Sequence, residues 1–148
     1  MNEVKSQEGS QKKSFASWIP AIVRFLMGLG FFIFGLNGFL NFIPQPTKPM
    51  PEGAVAFSGA LMKTGYMFQM IAGTQLLVGV LLLINRFVPL ALVLIMPVLV
   101  NIIAFHIFLE PSGWMPGVVL MAMELYLAWV YRDAYRPILK AVHRPRTS

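Results

Sequence analysis

The chain reads as an all-α membrane protein, a bundle of four transmembrane helices with a short interfacial helix after the first span. Three observations predict this. Between Arg24 and Glu124 the formal charges are Lys48, Glu52, Lys63, Arg86 and Glu110, leaving uncharged stretches of 23 residues (25–47), 22 residues (64–85) and 23 residues (87–109). A hydrocarbon core about 30 Å thick takes roughly 20 apolar helical residues to cross, so each stretch holds one span. A fourth apolar run, residues 114–131, is broken only by Glu124. Composition agrees: 57% of residues are hydrophobic and 12% charged, against roughly 45–50% and 25% in soluble domains. Lipid cannot hydrogen-bond a backbone, so spans are helices or a closed barrel, and the runs lack the apolar/polar alternation of a barrel.

The elements follow in order. Residues 1–17 are rich in Ser, Gln, Lys and Glu and are expected to form a disordered cytoplasmic tail. The membrane domain covers 18–140, with spans at about 19–42, 66–84, 87–109 and 115–131, followed by a basic tail, 141–148. The first run lacks an A-x-A-like cleavage signal and is expected to stay as an anchor. The alternating prolines of 44–51 cannot continue a helix. Residues 52–63 form the interfacial helix, with Pro51 in its first turn, Gly65 as its stop, and Val55, Phe57, Leu61 and Met62 as apolar contacts. Asn85-Arg86 and 110–113 are short turns that force antiparallel neighbours.

Charge sets the orientation. With the N-terminus inside, nine basic residues (Lys5, Lys12, Lys13, Arg86, Arg132, Arg136, Lys140, Arg144, Arg146) flank the cytoplasmic side and two, Lys48 and Lys63, the other. Both termini are therefore expected in the cytoplasm. The net charge of +6 is matched by phospholipid headgroups, and no nucleic-acid partner is expected. With no cysteine in the chain, disulfides, thiolate metal sites and iron–sulfur clusters are excluded.

Polar side chains inside lipid are costly and mark candidate sites. Gln75 lies nine residues beyond Tyr66 and Glu124 ten beyond Trp114, which puts both about 14–15 Å deep, in mid-membrane. Either they form a neutral hydrogen-bonded link between spans two and four, or Glu124 accepts protons or binds a ligand. Asn101 follows Pro97, whose ring leaves the Val93 carbonyl without its helical donor, and Asn101 is a candidate to compensate. Asn37, Asn41, His106 and Glu110 gather near the outer face, either as a pocket under the interfacial helix or as loop anchors. Arg24 sits close enough to the inner surface to snorkel or to hold a headgroup anion, with Arg136 and Lys140 as neighbours. His106 is the only intramembrane histidine, so bis-histidine haem within one chain is not expected, nor is a metal site. No phosphate loop, zinc-protease motif or nucleophile–base signature occurs, so no catalytic residue is assigned. Gly28, Gly30, Gly35, Gly73 and Gly79 permit close helix packing.

These residues include stretches that resemble the DoxX family of small four-span bacterial membrane proteins, over roughly 19–140. The resemblance rests on Arg24-Phe-Leu-Met-Gly28, Phe34-Gly-Leu-Asn-Gly-Phe39, Gly79 with Leu81-Leu82-Leu83, Asn41-Phe-Ile-Pro44, the segment 101–106, and Tyr131-Arg-Asp-Ala-Tyr-Arg-Pro137. Many relatives carry lysine where Gly38 stands and glutamate where Gln75 stands. The resemblance implies a multi-pass protein of the bacterial cytoplasmic membrane, an accessory or anchoring subunit with a redox-protein partner. It also implies quinone as the cofactor to look for. The alternative is a small transporter, or a lipid- or quinone-binding homo-oligomer, built on the mid-membrane carboxylate. A stand-alone enzyme is not expected.

Overall fold

The computed structural model describes residues 2–44 and 47–139, with side chains from Ser17 onward. It contains five α-helices, α1 (Asn2–Leu40), α2 (Glu52–Lys63), α3 (Met67–Leu83), α4 (Val88–Phe108) and α5 (Trp114–Val130), and there is no strand among the described residues. Short 3₁₀ turns, Pro111–Gly113 and Arg132–Ala134, bracket α5. Three apolar helical stretches are long enough to cross a membrane: Ser17–Leu40 with 24 residues, Val88–Phe108 with 21 and Pro111–Val130 with 20. The fourth candidate, α3, has 17 residues and meets α2 at a bend of 89°.

Where composition suggested a disordered tail over 1–17, α1 begins at Asn2. About half of residues 2–17 are good helix formers, and the helix runs through Pro20, whose missing N–H leaves one helical carbonyl without its donor. The helix ends through two asparagines. Asn41 takes a left-handed φ of 49° and donates its N–H to the Asn37 carbonyl at 2.8 Å. The Asn37 side chain accepts the Ile43 N–H at 2.7 Å. Asparagine tolerates this conformation better than other non-glycine residues.

Helix α2 covers the expected residues, with Pro51 just outside it as the N-cap. The left-handed Gly65 stops the helix at a φ of 75°, and the Thr64 hydroxyl joins the two helices across the bend. It donates to the Leu61 carbonyl at 2.7 Å and accepts the Met67 N–H at 3.1 Å. Phe57 packs its ring 5.7 Å from Phe105, which seats α2 over the far end of α4.

Helices α1 and α3 form the closest contact in the molecule, antiparallel and almost backbone to backbone. A Cβ added at Gly35 would sit 2.4 Å from the Leu76 nitrogen, and one at Gly79 would sit 2.4 Å from the Phe32 nitrogen. At Gly38 it would lie 2.4 Å from the Ala72 Cβ, so a larger side chain would press on α3 at this position. Small residues seven apart, Gly28 with Gly35 and Ala72 with Gly79, keep one face of each helix flat. Helix α4 packs on α3 and α5, and α5 returns to α1, so the four long helices close a ring. Its core, including Met27, Phe31, Leu82, Leu92, Ile95 and Leu127, lies toward the end that carries Arg24 and Arg86. Large apolar side chains face outward all round, among them Phe25, Phe34, Leu90 and Val100. So wide an apolar exterior suits hydrocarbon and not water.

Candidate functional site

Glu124 lies in the middle of α5 and is 1% exposed. Its Oε2 is buried without any hydrogen-bond partner. An orphaned buried polar atom is uncommon in a folded protein and costs about 1–3 kcal/mol. The reason for its isolation is the wall around it. A cavity of about 710 Å³ lies against α4 and α5, bounded by Leu90, Val93, Met96, Pro97 and Ala128, and toward one end by Tyr135 and the exposed Phe87, Ile138 and Leu139. Glu124 and Ala128 are four apart and share one face of α5. Among the described residues, no Lys, Arg or His lines the cavity.

Local chain geometry builds this end. Helix α3 finishes with Asn85 in the left-handed region, φ 56°. The Arg86 N–H returns to the Leu81 carbonyl at 3.0 Å and the Asn85 N–H to Leu82 at 3.3 Å, a Schellman-type stop. Phe87 is also left-handed, φ 54°, a conformation a bulky side chain adopts only under constraint from its surroundings. Pro89 then starts α4. Beyond α5, the Tyr135 hydroxyl donates to the Pro89 carbonyl at 3.1 Å and ties the C-terminal segment to the start of α4. The Tyr135 phenol is pushed up from its ordinary value by burial. Within α4, Pro97 has no N–H to return to the Val93 carbonyl, and both residues face the cavity.

Several expectations meet a different arrangement. Gln75 is half-buried on α3 and does not donate to Glu124 Oε2. Equal depth brought the two together on paper, but α3 meets α1 and α4 while α5 lies across the ring. Asn101 is exposed and stands eight residues, roughly 12 Å along the helix, from the Val93 carbonyl it was expected to compensate. Arg24 turns inward and donates to the Leu82 carbonyl, one of the last carbonyls of α3. Arg136 pairs with Asp133 at 3.1 Å, and Lys140 lies outside the described residues.

The outer group divides. Asn37 and Asn41 end α1, as loop anchors. His106 and Glu110 do meet: His106 Nδ1 is 2.9 Å from the Glu110 carbonyl oxygen and 3.2 Å from its carboxylate. That carboxylate also accepts the Ser112 hydroxyl and the Gly113 N–H at 3.1 Å. The Ser112 hydroxyl, ahead of the backbone donors and His106, holds the Glu110 carboxyl below its usual range despite some desolvation. A smaller cavity of about 300 Å³ adjoins His106, Trp114 and Val118, on the α5 side of α4 and not beneath α2. No group of three or more potential metal ligands occurs among the described residues.

Tyr135, Phe87 and Arg132 were not singled out in the sequence. Arg132 stacks 4.7 Å from the Trp129 ring and donates to the Trp129 carbonyl at 3.2 Å. The available signal was the aromatic repeat Tyr131, Tyr135 just after the last apolar run.

Among known proteins, the chain is similar to the uncharacterized protein YwoB of Bacillus subtilis (strain 168), with 30% identity over 139 residues that cover 89% of each chain. No protein-family model matches it, and no solved structure does.

Proposed function

The chain belongs to the family of the uncharacterized Bacillus subtilis protein YwoB, and we propose that it is a four-span protein of the bacterial cytoplasmic membrane that binds a small apolar molecule at Glu124. In this reading α1, α3, α4 and α5 cross the bilayer, α2 lies along the outer surface, and both termini are cytoplasmic. The side-to-side asymmetry of Lys and Arg supports that orientation. Kinship with the DoxX family is part of the proposal.

One observation carries the reading: the Glu124 carboxyl is buried and unpartnered at the edge of a cavity of about 710 Å³ whose other walls are almost wholly apolar. A structural carboxyl would be expected to have its partner in the folded chain. This one borders, just behind an apolar wall, space that a ligand can fill. The cavity lies beside exposed Leu90 and Val93 on α4, so a molecule dissolved in the membrane reaches it without crossing water. An isoprenoid tail suits these walls, whereas a quinone head would meet one polar side chain, because the Tyr135 hydroxyl already donates to Pro89. When bound, a quinone would supply electron transfer; the chain's own contribution would be the single hydrogen bond from Glu124 and the exclusion of water.

The test is native mass spectrometry after extraction in mild detergent. The expected result is an apolar molecule retained by the wild type and lost by Ala128→Phe, which places a ring in the part of the cavity one helical turn from Glu124, with folding intact. Co-purification of a redox protein from an empty wild-type cavity would favour the accessory-subunit reading instead.

A further inference from the structure

The cavity's charge pattern narrows what it can hold, and this step rests on reading that cavity as a ligand site. We infer that Glu124 and the aromatic residues Phe87 and Tyr135 at one end of the cavity take a lipophilic organic cation, a positive charge wrapped in hydrocarbon.

The electrostatics discriminate among three ligand classes. For an anion such as a fatty-acid carboxylate or a lipid phosphate, the described residues of the cavity offer no countercharge. The nearby basic groups among the described residues face elsewhere. Arg24, from α1, is bound to the Leu82 carbonyl; Arg132 lies on Trp129; Arg136 is paired with Asp133. Arg86 is exposed on the turn and does not line the cavity. The described parts of α3 and α4 that pack here carry no charged side chain. A neutral ligand with two acceptor groups would find one donor, as described for the quinone head. A lipophilic cation, in contrast, finds a buried carboxyl at one side and the rings of Phe87 and Tyr135 at the other.

Physical chemistry favours the last class for two reasons. A metal ion or simple ammonium loses a tightly held hydration shell on entering, and a single carboxyl does not replace it. An organic cation with a shielded charge loses far less on leaving water, so the low-dielectric attraction to a carboxylate survives as net binding. Aromatic faces add about 0.5–2 kcal/mol when the cation is desolvated.

A carboxylate among apolar walls is costly without a countercharge, so cation binding at this carboxyl is coupled to release of its proton. Binding is then an exchange. The Glu124 O–H bond breaks, the proton leaves to solvent, and the carboxylate that remains pairs with the incoming cation. Charge is conserved and no oxidation occurs. The other ionisable groups facing this region are Tyr135, whose hydroxyl is engaged with Pro89, and the exposed Asp133–Arg136 pair; neither needs to change state. Affinity should rise by up to about tenfold per pH unit while Glu124 is protonated before binding.

The probes are tetraphenylphosphonium, a permanent cation without hydrogen-bond donors, its near-isosteric anion tetraphenylborate, and a decyl-tailed ubiquinone. Each is titrated by calorimetry into the full-length protein in uncharged detergent, with proton release followed in weak buffer. The expected result is one tetraphenylphosphonium per chain with close to one proton released. Its affinity should fall at least tenfold in both Glu124→Gln and Ala128→Phe, while the circular dichroism of both variants stays that of the wild type. Unchanged binding in Glu124→Gln overturns the inference, as does binding without proton release. Preferential binding of the borate or the quinone, lost in Ala128→Phe, also overturns it but leaves the apolar-ligand reading standing. If none of the three binds in a manner sensitive to Ala128→Phe, that reading fails as well.

Discussion

Replacing Gly35 or Gly79 by alanine puts a methyl group where the facing helix already has backbone. The new Cβ would lie 2.4 Å from the Leu76 nitrogen in the first case and 2.4 Å from the Phe32 nitrogen in the second. Contacts under 3.0 Å are essentially never tolerated by a Cβ, so α1 and α3 must separate by more than half an ångström at that point. The atoms struck are main chain, with no rotamer to escape into. Overpacking of this kind costs about 1–3 kcal/mol, partly offset by the roughly 0.5–1 kcal/mol that alanine gains over glycine inside a helix. A net loss of up to about 2.5 kcal/mol follows, equivalent to a midpoint lower by up to roughly 10 °C for a chain of this size. Gly30 is the internal control. It lies in the same helix with nothing within 4 Å of its added Cβ, so Gly30→Ala should raise stability by about 0.5–1 kcal/mol. Thermal unfolding in detergent, followed by circular dichroism and size exclusion, reads all three variants side by side. Gly35→Ala and Gly79→Ala as stable as Gly30→Ala would refute the close α1–α3 seam.

Two further predictions concern the ends of the bundle. Tyr135→Phe removes the hydrogen bond to the Pro89 carbonyl and should cost about 0.5–1.5 kcal/mol; it should also speed chymotryptic cleavage after Leu139, read by mass spectrometry. If cleavage is unchanged, the hydroxyl does not hold the C-terminal segment. At the other end, the lowered Glu110 carboxyl stabilises its turn above the ordinary value of 4.5, and that contribution is lost as pH falls through the lowered value. Trp114 fluorescence should therefore change on acidification below 4.5, and the change should move to higher pH in Ser112→Ala, which loses the main hydrogen bond holding the carboxyl down. A titration that does not move would remove Ser112 from that role.

How much of this was legible in the sequence depends on the dimension asked about. Position along each helix was readable because charges are excluded from apolar spans, and helices α3, α4 and α5 start and stop within a few residues of the expected bounds. Helix α2 was readable for the same reason, between its prolines and Gly65. Position around each helix was not. Gln75 and Glu124 were matched by depth, a coordinate along the membrane normal, while the order of helices around the ring decides which side chains meet. The glycines were recognised as small, but only the antiparallel register shows that Gly35 and Gly79 touch backbone and that Gly30 touches nothing. Asn37 and Asn41 looked like a polar pocket because asparagine in an apolar helix is conspicuous; their work is to end α1. The cavity itself is a gap between residues, with walls drawn from α4, α5 and a segment beyond the last span, and no local pattern encodes it.

The central claim is that Glu124 is the group that receives the cavity's ligand. The most direct measurement is an infrared difference spectrum of the detergent-solubilised protein with and without tetraphenylphosphonium, followed at the protonated-carboxyl stretch. The account predicts loss of one carboxylic-acid band on binding, with a carboxylate band appearing in its place, and neither change in Glu124→Gln. A spectrum that does not alter on binding, or one that alters identically in Glu124→Gln, would contradict it.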